Sequence, residues 1–267
     1  MDAQSVANVL YAIAKASADS THTEALLRLL PGLATRIPFV TSRMKAQEVA
    51  NAIWAVAKLA INGSESEVLL GLLPALAGTI PEVISEMNAQ AVANVIWATG
   101  QLSGDESRMV DELHAMLPSL VARAEVLLPA ATPQEIANTC WGLALSHYHD
   151  AGYLQAVIQR VAEEAGQWKP RGAEMDLPSL LCALARLEAS QHEDLLGVVA
   201  QKLSPMLAAM NSWGLCALAW SYQELDLNDD HLAFRQTLDE ELSRRGLSER
   251  DVDSSRLGPE RWRRDGR

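Results

Sequence analysis

The stretch AQEVANAIWAVAKLA, Ala46 to Ala60, decides the fold, because much of the chain is built from copies of it. It opens the protein as AQSVANVLYAIAKA from Ala3, and returns as AQAVANVIWATGQLS from Ala89 and PQEIANTCWGLALS from Pro133. With Tyr11, Trp54, Trp97 and Trp141 taken as one position, the step is about 43 residues, the length of a two- or three-helix solenoid unit. Val49, Ile53, Val56 and Ala60 recur at helical spacing, with Ala50, Trp54, Ala57 and Ile61 beside them. That apolar stripe is too wide for one partner helix to bury, so it predicts packing against the copies on either side.

A second helix is expected in each copy. Thr21-x-x-Glu24 and Ser64-x-x-Glu67 have the form of capping boxes at equivalent places, each just ahead of an apolar run. Pro31, Pro74 and Pro118 interrupt those runs. An interior proline lacks the N–H that the helix needs, so the second helix should be kinked or broken, with room for a short third one. In the fourth copy Thr132, Pro133 and Glu135 supply an N-cap, a first-turn proline and a capping-box acid together.

The copies run over 1–43, 44–86, 87–130 and 131–174. Two weaker ones follow, LPSLLCALARLEAS from Leu177 and SWGLCALAWSYQEL from Ser212, with Cys182 and Cys216 at the tryptophan position and Asp176 and Asn211 as late N-caps. The expected fold is therefore all-α: a right-handed α-solenoid of about six helical pairs over residues 1–246, closed by a helix ending at Gly246. Residues 247–267 are charged and poor in apolar side chains, and are expected to form a flexible tail.

The chain has 267 residues, about half of them apolar, enough to bury a large core. Its net charge is −12, which works against non-specific attachment to phosphate backbones. No apolar run is long enough to cross a membrane. The first residues read as the start of a repeat rather than as a signal or transit peptide. Cys140, Cys182 and Cys216 are dispersed and form no C-x-x-C pair; they suit a small-residue core and an intracellular, reducing compartment. His147, His149 and Asp150 make an H-x-H-D group, but no second cluster completes a metal site. Adjacent carboxylates (Asp111 with Glu112, Glu163 with Glu164, Asp229 with Asp230) suit solvated surface, and no phosphate loop, nucleophile elbow or zinc-protease motif is present. No enzyme activity, cofactor or metal is expected.

The polar positions of the first helix carry the functional expectation. Gln47, Asn51 and Lys58 share one helix face. They repeat as Gln4, Asn8 and Lys15, as Gln90, Asn94 and Gln101, and as Gln134 and Asn138 with Leu145 in the third place. Stacked copies would align them into a ladder of amides. The ladder serves either as frame, through asparagines bonded to backbone carbonyls between copies, or as a row of groups that read a partner. The tryptophans are expected to pack between copies.

QEVANAIWAVAKLA, QAVANVIWATGQL and QEIANTCWGLAL resemble the octotricopeptide-repeat family, whose units are nearly this long and carry an ANxLWALAKL-type first helix. The resemblance covers the first four copies well and the next two loosely. It implies a solenoid of paired helices that binds single-stranded RNA in mitochondria or chloroplasts, acting in transcript stability, processing or translation. Related helical repeats precede RAP domains in other organelle RNA-binding proteins. The residues onto which the family's RNA-reading role would fall are Gln4, Asn8, Lys15, Gln47, Asn51, Lys58, Gln90, Asn94, Gln101, Gln134 and Asn138. The alternative is a HEAT- or armadillo-like scaffold with a protein partner, which the acidic balance favours. The first copy has no polar cap ahead of it, so its outer face should be apolar and should support self-association.

Overall fold

A computed structural model describes residues 1–17, 26–61, 66–103, 111–189, 193–226 and 229–248, without the side chains at 66, 67, 171 and 172. The described residues are helical with no strand, so the chain is all-α. The expected capping boxes at Thr21/Glu24 and Ser64/Glu67 and the tail beyond 248 lie outside the described residues. The chain divides into two compact halves, Met1–Ala130 and Ala131–Arg267. The division falls between the third and fourth sequence copies.

In the N-terminal half, α1 (Ala3–Ala16), α3 (Ala46–Ile61) and α7 (Ala89–Ser103) begin at equal steps along the chain. Helix α3 packs against both α1 and α7. This explains why Val49, Ala52, Ile53, Ala55, Val56 and Leu59 are all fully buried: α3 has a neighbour on each flank. Alanine at many of these positions favours helix.

The second helices are broken where proline demands it. α4 (Ser66–Leu70) stops at a turn and α5 (Leu73–Ala77) restarts with Pro74 in its first turn, where the missing N–H has no partner to lose. Pro31 opens α2 (Leu30–Arg36) in the same way, and Pro118 follows α8 (Asp111–His114) to open α9 (Leu117–Leu127). A second proline sets the third element. Pro38 and Pro81 sit in the short turns Ile37–Phe39 and α6 (Ile80–Val83), whereas the third copy has Glu125 at that place and α9 runs on unbroken.

The C-terminal half has intact pairs. α10 (Pro133–Leu145), α12 (Pro170–Arg186) and α14 (Ser212–Leu225) pack in succession, and α11 (Ala151–Glu164) packs against α13 (Glu193–Leu203). The expected cap at Thr132 is present: its backbone N–H donates to Glu135 at 2.7 Å, and its hydroxyl accepts from the Glu135 N–H at 3.4 Å. Asn211 caps α14, accepting from the Gly214 N–H at 2.7 Å. Asp176 does not cap its helix. α12 begins at Pro170 and runs through Asp176 and the interior Pro178. Pro170 supplies the first-turn proline, and the Ser179 hydroxyl donates to the Met175 carbonyl at 2.7 Å beside the missing proline N–H. α15 (Leu232–Arg245) packs on α14 and ends at Gly246, whose φ of 67° lies in the left-handed region that glycine adopts without penalty.

Among the described residues no single helix is long and apolar enough to cross a membrane. The pieces Val68–Ala77 and Ile80–Glu86 together reach such hydropathy, but they are bent by 49°.

Candidate nucleic-acid interface

On each of the first three first-helices, an amide, a second amide, an aromatic and a basic or amide residue stand at steps of four, three and four. That spacing puts them on one stripe. In the N-terminal half the stripes are Gln4, Asn8, Tyr11 and Lys15 on α1, Gln47, Asn51, Trp54 and Lys58 on α3, and Gln90, Asn94, Trp97 and Gln101 on α7. Because α1, α3 and α7 lie side by side, the structure brings these residues onto adjacent helices. Gln4, Asn8, Lys15 and Gln90 are exposed, while Gln47, Asn51, Lys58, Asn94 and Gln101 are half-buried.

The amides do not bond to backbone carbonyls of neighbouring copies. Gln47 Nε2 donates to Asn51 Oδ1 at 2.9 Å within α3. The side-chain amides of Asn8 and Asn94 make no hydrogen bond among the described residues. The aromatic members form a second row beside them. The Tyr11 and Trp54 rings are 4.9 Å apart and the Trp54 and Trp97 rings 6.0 Å, tilted by 41° and 35°. Trp97 is 5% exposed, but Tyr11 and Trp54 are only half-buried. Lys15 Nζ lies 5.8 Å from the Tyr11 ring centre and Lys58 Nζ 5.8 Å from that of Trp97, within cation–π range. Trp54 and Trp97 therefore pack between helices, as expected, and the Tyr11 and Trp97 rings seat the two lysines.

Charge is distributed unevenly. Helices α1, α3 and α7 carry two lysines and one carboxylate, Glu48, in a chain of net charge −12. Glu48 Oε2 accepts from the Lys45 backbone N–H at 3.0 Å, so it is engaged at the helix start. The stripes thus form a neutral-to-basic surface on an acidic protein.

In the C-terminal half, α10 places Gln134 exposed and Asn138 half-buried. Trp141 on the same stripe is 3% exposed and meets Trp213 edge-on at 6.0 Å. Two residues absent from the expected set join it: the Arg186 guanidinium carbon lies 5.8 Å from the Trp141 ring centre and 5.5 Å from that of Trp220. Both occupy the lysine position of their copies, four residues after Cys182 and Cys216. That register was the available signal, and the loss of tryptophan in these copies hid it.

Cys140, Cys182 and Cys216 are buried and form no disulfide. Burial pushes the Cys140 thiol up to about 12, so it stays protonated and is a poor nucleophile. The Asp150 carboxylate caps α11, accepting from the Tyr153 N–H at 2.9 Å, while His147 and His149 are exposed. Among the described residues no three metal-ligating side chains cluster. Glu164 pairs with Arg160 at 3.1 Å, and Asp111, Glu112, Glu163 and Asp230 are exposed. No protein-family model and no curated protein matches the chain.

Proposed function

We propose that this protein is a non-catalytic, single-stranded RNA-binding helical-repeat protein. Its first helices would line one surface of a right-handed superhelix of about six helical pairs. The observation that carries this reading is the amide, aromatic and lysine stripe, low in carboxylates, on a chain of net charge −12. An asparagine offers a donor and an acceptor together, which reading an exposed base edge requires. Repeat proteins that assign about one base to each unit use the same device. The resemblance to octotricopeptide repeats supports organelle transcripts as the target and stability, processing or translation as the process. Lys15 and Lys58 become Gln101 and Leu145 in later copies, so few phosphates are contacted. Affinity should be modest and its salt dependence shallow. Selection from a random RNA pool tests the reading: enrichment of a sequence, weakened by Asn94→Ala at unchanged melting temperature, supports it. No enrichment over a protein with scrambled stripes would sink it.

A HEAT- or armadillo-like scaffold is the second reading. It is favoured by Phe39 and Val126, which are 72% and 70% exposed at equivalent places in the first and third copies. Recovery of a defined protein and no RNA after crosslinking would select it.

The proposed self-association through the first copy has a specific surface. Ser5, Val9, Ala12 and Ala16 form a stripe on α1 that is half-buried or exposed, whereas Ala52, Ala55 and Leu59 at the last three of these positions on α3 are fully buried. The open flank is small-sided rather than broadly apolar, so association should be weak. Concentration-dependent sedimentation that Ala12→Glu abolishes is the expected result.

A further inference from the structure

We infer that Arg186 is a phosphate-contacting residue of the RNA surface, held in place by Trp141 and Trp220, with Trp220 stacking the adjoining base. The inference rests on the RNA-binding reading and extends it to the weakly matching fifth and sixth copies.

The geometry is that of a pre-positioned cation without an anion. The guanidinium carbon stands 5.8 Å from one indole and 5.5 Å from the other. Trp141 is 3% exposed and fixed edge-on against Trp213, so it forms a rigid floor. Trp220 is half-buried and Arg186 is exposed, so both can be reached from solvent. The Arg186 guanidinium makes no hydrogen bond or ion pair among the described residues. Arg123, Arg160, Arg235 and Arg245, by contrast, each have a carbonyl or carboxylate partner. Arg28 and Arg43 are likewise without an ion pair among the described residues, but no ring holds them; Arg186 is set apart by its two indoles.

A planar guanidinium presents parallel N–H donors that match two phosphate oxygens, and ring contacts reduce the freedom lost when it binds. A carboxylate would match the same fork. The half-open indole of Trp220 decides between them, because a nucleotide brings a base whose flat face stacks on it, whereas an acidic side chain brings none. Arg186 also stands at the repeat position of Lys15 and Lys58, where the third and fourth copies have the uncharged Gln101 and Leu145.

The test measures binding of a fluorescent single-stranded RNA, selected from a random pool on the full chain, across a salt series. Arg186→Gln should weaken binding about tenfold at low salt and reduce the slope of log affinity against log salt by about one contact. Arg186→Lys should keep the slope and recover only part of the affinity. Trp220→Leu should weaken binding of the RNA but not of an abasic chain of the same length. Arg186→Gln that binds RNA as tightly as the parent overturns the assignment while leaving the RNA-binding reading intact. Absence of RNA binding by the parent overturns both. Displacement by polyglutamate as effective as by RNA assigns Arg186 to a carboxylate partner and overturns it too.

Discussion

Arg123 reaches from the middle of α9 to the backbone carbonyl of Met87, two residues ahead of α7, with Nε at 3.1 Å and Nη2 at 2.9 Å. The contact recurs. Arg36 donates to the Met1 carbonyl, Arg160 to Ala131, Lys202 to Gly166 and Arg245 to Met210, each joining a second helix to the chain just before its own first helix. It ties the second helix to the start of the first in these five copies. Hydrogen bonds from a charged donor contribute about 1.5–3 kcal/mol when shielded, and less when exposed. Arg123→Ala should therefore lower stability by about 1–3 kcal/mol and the more exposed Arg36→Ala by less, as read by urea unfolding. Equal losses at the two sites would argue against the clasp.

Among the described residues, the second copy has neither the clasp nor a side-chain acceptor for the first-turn N–H groups of α3. Thr79 stands where Arg36 and Arg123 stand, and its hydroxyl bonds back to the Leu76 carbonyl at 2.7 Å. Lys45 precedes α3 where Asp2 and Asn88 cap α1 and α7 through their carboxylate and amide oxygens. A lysine offers no acceptor to the first-turn N–H groups and places a positive charge at the positive end of the helix dipole. Lys45→Asp should raise stability by about 1 kcal/mol, seen as a higher melting temperature. A decrease would mean that Lys45 has a role outside the cap.

Trp97 and Trp54 occupy the same place in successive copies but differ in burial. Trp97→Ala should cost about 3–5 kcal/mol, the range for large aromatics in cores. Trp54→Ala should cost clearly less, because its ring is already half in water. Unfolding curves that rank them the other way would show that Trp54 carries the ring row.

The helices, their proline breaks and the caps at Thr132 and Asn211 were legible because each is set by residues within one turn of one another. The clasp was not. Arg123 and Met87 are far apart in sequence, and an arginine on a polar helix face looks like solvated surface until the fold brings a carbonyl to it. Asp176 misled for a related reason: an acid two residues before a proline has the form of a helix start, yet Pro170 offered an earlier one and packing against α10 and α14 holds the longer helix together. The amide stripe was visible from period alone. The rows of rings and cations beside it required knowing which helices are neighbours.

Stability should fall on the alkaline side. Burial holds the Cys140 thiol at about 12, against an ordinary value of 9.0, and raises the hydroxyls of Tyr153 and Tyr222 above their ordinary 10.0. The Asp226 carboxylate adds to the shift at Tyr222, whose hydroxyl donates to the Leu196 carbonyl at 2.6 Å. These groups bind their protons more tightly folded than unfolded. The stabilisation is complete below the unfolded values and is lost as pH rises through them toward the folded ones, at up to about 1.4 kcal/mol per unit for each group. Melting temperature should hold steady to about pH 8.5 and then fall steeply. Cys140→Ala should make the first part of that fall shallower. A profile unchanged by the substitution would mean that the thiol does not contribute.

The bond between Gln47 and Asn51 sets Asn51 apart from its equivalents. Asn51 Oδ1 accepts from Gln47 Nε2 at 2.9 Å, which leaves the Asn51 amide to present mainly its donor side. Gln90 makes no such bond to Asn94, and Gln4 none to Asn8, so those asparagines keep donor and acceptor together. If the stripes read RNA, the base facing Asn51 is recognised through an acceptor on its edge, whereas the bases facing Asn8 and Asn94 are recognised through a donor and an acceptor at once. A site that uses both discriminates more strongly, because a wrong base leaves one of the two groups unpaired. Selection should therefore return a consensus that is looser at one position than at its neighbours. Gln47→Ala frees Asn51 Oδ1, so it should sharpen that position while leaving the others, and the melting temperature, nearly unchanged. Should Gln47→Ala loosen the whole consensus, or lower the melting temperature as much as Arg123→Ala does, the pair belongs to the frame of α3 and not to the reading surface.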